Sequence, residues 1–221
     1  MKEKTKRAKS KETKSKETKS KGKKIRKEKV LEDFRKIAYN YDASPFSGNS
    51  VCVYCPENEE DIIKFVKSAI KYKIDIVPRG GGTSVVGGAV PNNSVVLDLS
   101  KLNKITIDER KKIAIAEAGA TIAELNREAS KFGLILPVIP SSHEVATIGG
   151  AIATNASGLR AIKYGKMKDW VRSIKAVDGN GKIINGNIEH FCGSEGIYGI
   201  ILSAELNLTS LPKEISLSIL C

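Results

Sequence analysis

Pro78-Arg-Gly-Gly-Gly-Thr-Ser84 follows a short apolar run, Ile74–Pro78, and sets three consecutive glycines where a strand should end. Gly80, Gly81 and Gly82 carry no side chains to screen their N–H groups. Such backbone can enter left-handed torsions, approach a ligand closely and converge its amides on an anion. Further along, Ala146-Thr-Ile-Gly-Gly150 opens a second small and apolar run. Its glycines, Gly149 and Gly150, are expected to present another set of amides at a helix N-terminus. Two amide-rich loops imply a ligand with two phosphates or a long polar tail, as in a dinucleotide. The Rossmann alternative is weak: Gly80 and Gly82 supply the first two glycines of its fingerprint, but position 85 is Val85.

Around these loops the periodicity is of mixed α+β type. Val30 to Tyr41 has helical apolar spacing and is expected to end at Tyr41-Asp-Ala-Ser-Pro45. Val51–Cys55 reads as a strand, and Glu59–Tyr72 as an amphipathic helix. Strands follow at Ile74–Pro78, Ser94–Leu99, Ile105–Ile107 and Ile113–Glu117. Thr121 is placed to cap a second helix that Gly133 stops. Gly179-Asn-Gly181 joins two strand-like runs as a hairpin, and Gly199–Leu208 is a last apolar strand. Two helices among many strands do not make the alternating βαβ order of a doubly wound domain.

Charge is unevenly divided. Of 37 Lys and Arg and 25 Asp and Glu, residues 1–29 hold 15 basic and 4 acidic residues, so the remainder is nearly neutral. This segment repeats Lys-Glu-Thr-Lys-Ser and has almost nothing apolar to bury, so disorder is expected. Two readings stay open: a solubilising extension, or a polybasic arm for nucleic acid or an anionic membrane surface. No apolar run is long enough to span a bilayer, and no export signal stands out. A cytoplasmic location with reduced thiols follows as an expectation. Cys52-Val-Tyr-Cys55 has metal spacing but no second pair, so these are read as core or edge cysteines and no metal is expected.

Seven blocks in order resemble the FAD-binding domain of the vanillyl-alcohol oxidase and p-cresol methylhydroxylase flavoproteins, with particular likeness to the glycolate oxidase FAD subunit and FAD-linked D-lactate dehydrogenases. Alkylglycerone-phosphate synthase is nearby. The blocks are Tyr41-Asp-Ala-Ser44; Pro78–Ser84 with Gly87-Gly-Ala-Val-Pro91; Ala118-Gly119; Pro140-Ser-Ser142 with Ala146–Gly150; Thr154-Asn-Ala-Ser-Gly158; Lys163-Tyr-Gly165; and Gly193-Ser-Glu-Gly196 with Gly199-Ile200.

The resemblance implies two α+β subdomains across residues 30–212, holding extended FAD between them. It implies that Pro78, Arg79, Gly80, Gly81, Gly82, Thr83 and Ser84, with Gly87, cradle the pyrophosphate. Pro140, Ser141 and Ser142, with Thr147, Ile148, Gly149 and Gly150, would line the flavin and ribityl side. Thr154, Asn155, Ser157 and Gly158 would complete the wall, and Ile200 and Ile201 would meet the adenine. Arg79 is left open between capping a loop and touching a phosphate. His143 and His190 are read as exposed or structural, and Glu195 as bonding local amides. Relatives with covalent flavin use a histidine in the pyrophosphate loop; its absence here implies dissociable FAD.

The resemblance further implies oxidation of a D-2-hydroxy acid of the glycolate or D-lactate type by hydride transfer to flavin. Relatives continue past the position of Cys221 into a substrate cap that supplies the carboxylate clamp and the base. Residues 213–221 would be a stub toward that absent cap, so a separate cap chain or electron-transfer partner is expected. This chain is also shorter than relatives between Asn185 and Phe191, which leaves the cover of one flavin face open. Other flavin chemistry on the same fold, or a non-enzymatic flavin or nucleic-acid binder, remains the alternative.

Overall fold

The computed structural model describes residues 30, 31 and 34–213. The basic segment 1–29 and the stretch beyond 213 lie outside the described residues.

Two sheets organise the chain. The first has the order β1-β2-β4-β3, built from β1 (Val30–Leu31), β2 (Asn49–Tyr54), β3 (Ile76–Arg79) and β4 (Asn92–Asp98). Its strands β2 and β3 both run parallel to β4, and β1 is antiparallel on the edge. The second sheet is antiparallel throughout, in the order β5-β6-β10-β8-β9, from β5 (Ile105–Asp108), β6 (Ile113–Glu117), β8 (Val171–Val177), β9 (Ile183–Gly186) and β10 (Ile200–Asn207). A small ladder joins β7 (Leu134–Ile135) to β11 (Thr209–Ser210), a strand that the sequence pattern did not suggest. This is the expected two-part α+β architecture.

Helix α1 (Glu59–Tyr72) forms where its apolar period requires and buries Ile62, Val66 and Ala69. Asn58 caps its start by accepting from the Asp61 amide at 3.0 Å. Helix α2 (Ile122–Ser130) begins with a full capping box: Thr121 accepts from Glu124 N at 3.1 Å, and Glu124 accepts from Thr121 N at 2.9 Å. Such a cap contributes about 1 kcal/mol. The hairpin at Gly179–Gly181 forms as expected between β8 and β9, and Gly181 packs on Lys67 and Val66 of α1. Core side chains from both sheets, among them Leu97, Ile122, Ile174 and Leu202, belong to one buried cluster.

One expected element is corrected. The described residues of the 30–41 stretch do not form an α-helix: Val30 and Leu31 pair with Tyr54 and Val53, and Phe34–Asn40 is a 3-10 turn with no buried residue. Ladder bonds on the β2 edge, and the Asn40 side chain accepting from both Ser50 N and Ser50 Oγ at 2.8 Å, hold the segment instead, with Phe34 and Ile37 exposed and no buried face to favour a short helix.

Candidate cofactor site

The chain leaves β3 at Arg79 and must return to the start of the parallel neighbour β4, so the 80–91 connection crosses the end of the first sheet. There it meets the 140–150 segment that feeds α3 (Ile148–Ala153), which packs on β6 and β10 of the second sheet. The junction is close enough to exclude side chains. A Cβ on Gly80 would collide with Thr147 Oγ1, and one on Gly81 with the Val145 carbonyl. Gly82 has φ +65°, a left-handed torsion that favours glycine. Between the two loops opens a cleft of about 370 Å³.

The first loop meets the demands of an anion cradle. Among the described residues the amides of Gly81, Gly82, Thr83 and Ser84 donate to no protein acceptor. Ser84 Oγ turns the loop by accepting from Val86 N at 3.3 Å and Gly88 N at 3.4 Å. The second loop behaves differently from expectation. Ile148 N donates to Ala120 O at 2.8 Å, Gly149 N to Ala118 O at 2.9 Å, and Gly150 N to Thr147 Oγ1 at 3.3 Å. These amides are therefore occupied. Gly149 is glycine because a Cβ there would lie 2.7 Å from the Ala118 Cβ, so this pair lets α3 press against the end of β6.

Of the expected residues, Pro78, Arg79, Gly80, Gly81, Gly82, Thr83, Ser84, Pro140, Ser142, Thr147, Gly149, Gly150, Thr154, Ser157 and Ile201 line the cleft. Six others lie off its wall. Ile148 is fully buried in the core, and Ser141 is exposed. Gly87 has φ +83° and packs against Phe46. Asn155 has φ +46° and accepts from Lys168 N at 3.1 Å, which makes it a turn former. Gly158 is pressed against the Ile139 backbone, and Ile200 faces an adjoining groove.

The wall also contains residues to which no cofactor contact was assigned from sequence, although some stand in the quoted blocks: Val85, Val86, Ala118, Ala151, Ala153, Ala156, Glu195, Gly196 and Gly199. The signal for several of them was the run of small side chains from Ala146 to Ala156, which permits close approach along its whole length.

Arg79 and Glu195 are the ionisable side chains among the described wall residues. Arg79 Nη1 donates to Tyr41 O at 2.8 Å and Ala89 O at 3.3 Å, contacts of the loop-capping kind. Burial disfavours its charge, while Tyr39, Asp42 and Asp98 favour it. Glu195 has φ +53°, its amide donates to Ala153 O at 2.9 Å, and a Cβ on Gly88 would lie 2.6 Å from its Oε2. Burial first, and then Asp42, raise its carboxyl above the ordinary value. No local amide donates to that carboxylate among the described hydrogen bonds, contrary to expectation. His143 lies off the wall, with Nδ1 3.1 Å from Pro140 O and Nε2 3.4 Å from Glu144. His190 stacks on Tyr198. No metal-binding group occurs among the described residues.

The residues present fit a diphosphate-bearing cofactor: a left-handed glycine, positions where a Cβ would fill the space, and a run of unpaired amides on one cleft wall. Comparison with known proteins agrees. A family described as "FAD binding domain" matches residues 51–187. The D-lactate dehydrogenase of Archaeoglobus fulgidus is 36% identical over 199 residues, covering 81% of this chain and 45% of that protein. Glycolate oxidase subunit GlcD of Bacillus subtilis is 34% identical, covering 80% of this chain and 41% of its own length. A solved structure of alkyldihydroxyacetonephosphate synthase superposes with a TM-score of 0.79 at 26% identity, covering 86% of this chain and 39% of that one. The chain thus spans less than half the length of these relatives. It belongs to the FAD-binding domain family, and its cofactor is FAD.

Proposed function

We propose that residues 30–212 form the FAD-binding portion of an oxidoreductase that oxidises a D-2-hydroxy acid of the glycolate or D-lactate type. The observation that carries this reading is the set of four unpaired amides at Gly81–Ser84, in a cleft whose relatives are hydroxy-acid dehydrogenases and oxidases. The loop would hold the diphosphate through those amides, and Pro140, Ser142, Thr147, Gly150, Thr154 and Ser157 would line the remainder. When bound, FAD supplies the two-electron acceptor; the protein supplies position, exclusion of water and a fixed electrostatic setting. Among the described residues the wall carries no His, Cys or Tyr, and the flavin would be held without a covalent link.

Among the described residues the wall carries no histidine and no cationic side chain other than Arg79, which is engaged with carbonyls. A cap or partner polypeptide would supply the substrate-side groups. That one relative is named as a subunit supports a partner chain. No helix among the described residues is long and apolar enough to cross a membrane.

An alkyldihydroxyacetonephosphate synthase-like chemistry is the second reading, favoured by the structural likeness and by a relative of that name in Dictyostelium discoideum, 32% identical over 178 residues. Anaerobic mixing of the flavin-loaded protein, with any partner chain present, tests the two. Bleaching at about 450 nm by glycolate or D-lactate supports the first. Absence of bleaching by every 2-hydroxy acid offered contradicts it.

A further inference from the structure

Arg79 and Asp98 are the last residues of adjacent parallel strands and are register partners. Opposite charges so placed would ordinarily pair, yet the guanidinium donates to two backbone carbonyls instead, at Tyr41 and Ala89. The Asp98 carboxylate is engaged elsewhere. Tyr39 Oη donates to Asp98 Oδ2 at 2.6 Å, and Ser100 N donates to Oδ1 at 2.9 Å. The Tyr39 ring also lies 5.3 Å from the Arg79 guanidinium carbon, within cation–π range. Behind the cradle, the guanidinium abuts Gly82 so closely that a Cβ there would collide with Nη2.

We propose that Arg79 strengthens diphosphate binding through the glycine loop, from behind it, and that Tyr39 and Asp98 are positioning residues that keep it there with its charge unpaired. The inference rests on the FAD reading above. Three consequences follow from the geometry. The two carbonyl bonds tie the far end of the loop, at Ala89, to the separate segment at Tyr41. The positive charge sits within a few residues of the free amides and adds to their field, where partial burial limits screening. The Tyr39 hydroxyl occupies the carboxylate that would otherwise neutralise the arginine. Burial, then the bond to Asp98, hold the Tyr39 phenol well above its ordinary range, so that hydroxyl stays protonated and donating.

The test uses the 221-residue chain and measures displacement of FAD by ADP and by adenosine, at low and high ionic strength. ADP carries the diphosphate; adenosine shares base and ribose without it. Arg79→Gln is expected to weaken ADP about tenfold and flatten its salt dependence, with adenosine changed less than about twofold. Tyr39→Phe is expected to weaken ADP by about threefold with the same selectivity, because Asp98 is then released to pair with the arginine. Adding Asp98→Asn to Tyr39→Phe should restore ADP affinity, since the carboxylate released by the loss of the Tyr39 hydroxyl is then gone. Equal losses for ADP and adenosine, or a double variant no better than Tyr39→Phe, would overturn the inference while leaving FAD binding intact. Wild-type protein that takes up neither FAD nor ADP would remove the FAD reading itself, and this inference with it.

Discussion

Cys192 and Cys55 show how position decides the chemistry of a residue that sequence alone leaves open. Burial pushes the Cys192 thiol up to about 11, with Lys168 opposing and Glu189 assisting. Burial, then Asp98, raise Cys55 as well. Neither forms thiolate readily near neutral pH, so both should resist iodoacetamide at pH 7.5 while reacting fully in denatured protein; rapid native alkylation by mass spectrometry would contradict this. Glu195 carries a pH signature of known sign. Its folded-state carboxyl titrates above its unfolded value, so the fold disfavours the charged form, and stability falls as pH rises through that raised value. Glu195→Gln should therefore melt above wild type at pH 7, with the difference closing as pH drops to the ordinary glutamate range. A difference constant with pH would assign Glu195 a different role. The spacing of Gly80–Gly82 was readable because a glycine run after a strand has few other uses. Glu195 was not, because its cleft position depends on a left-handed torsion and on contact with a distant loop.

At the scale of elements, the two glycines that open α3 have separable duties. Gly149→Ala would set a methyl against Ala118 and push α3 off β6, at a cost of about 1–3 kcal/mol. Gly150→Ala meets only Thr147 Oγ1, at 3.2 Å, and should fold nearly as wild type while weakening FAD through its place on the cleft wall. Thermal melts and flavin titration of the two variants check this; similar melting losses for both would contradict it. Gly119 is a third such contact, pressed on the Leu99 and Leu102 carbonyls, whereas Gly179 has open space around its α-carbon. Gly119→Ala should lower stability by about 1–3 kcal/mol and Gly179→Ala should change it by less than about 0.5 kcal/mol in denaturant unfolding. Helices α1 and α2 were legible because long apolar periods and caps agree. The stretch at 30–41 departs from its helical spacing because that weak period loses to edge pairing, which depends on a strand outside that window. The amide expected at Gly149 is likewise occupied, because its acceptor, Ala118 O, lies in a separate segment that the local pattern does not reveal.

For the whole molecule, the cleft exists because two sheets of different connectivity share one core and meet at loops too tightly packed for side chains. Lys175 spans the two parts, with Nζ 2.7 and 2.6 Å from the two Glu59 carboxylate oxygens at the start of α1. Order and spacing of the glycine blocks made this architecture readable; which amides remain free required three-dimensional accounting. A ligand held between the parts should stabilise both, by about 2.7 kcal/mol at a free concentration one hundred times its Kd. The most direct measurement is uptake of FAD by the purified chain, followed by absorption, calorimetry and acid precipitation. One FAD per chain, a higher melting temperature, and yellow colour that leaves the protein with the acid supernatant are expected. Colourless protein that takes up no FAD from excess would contradict it.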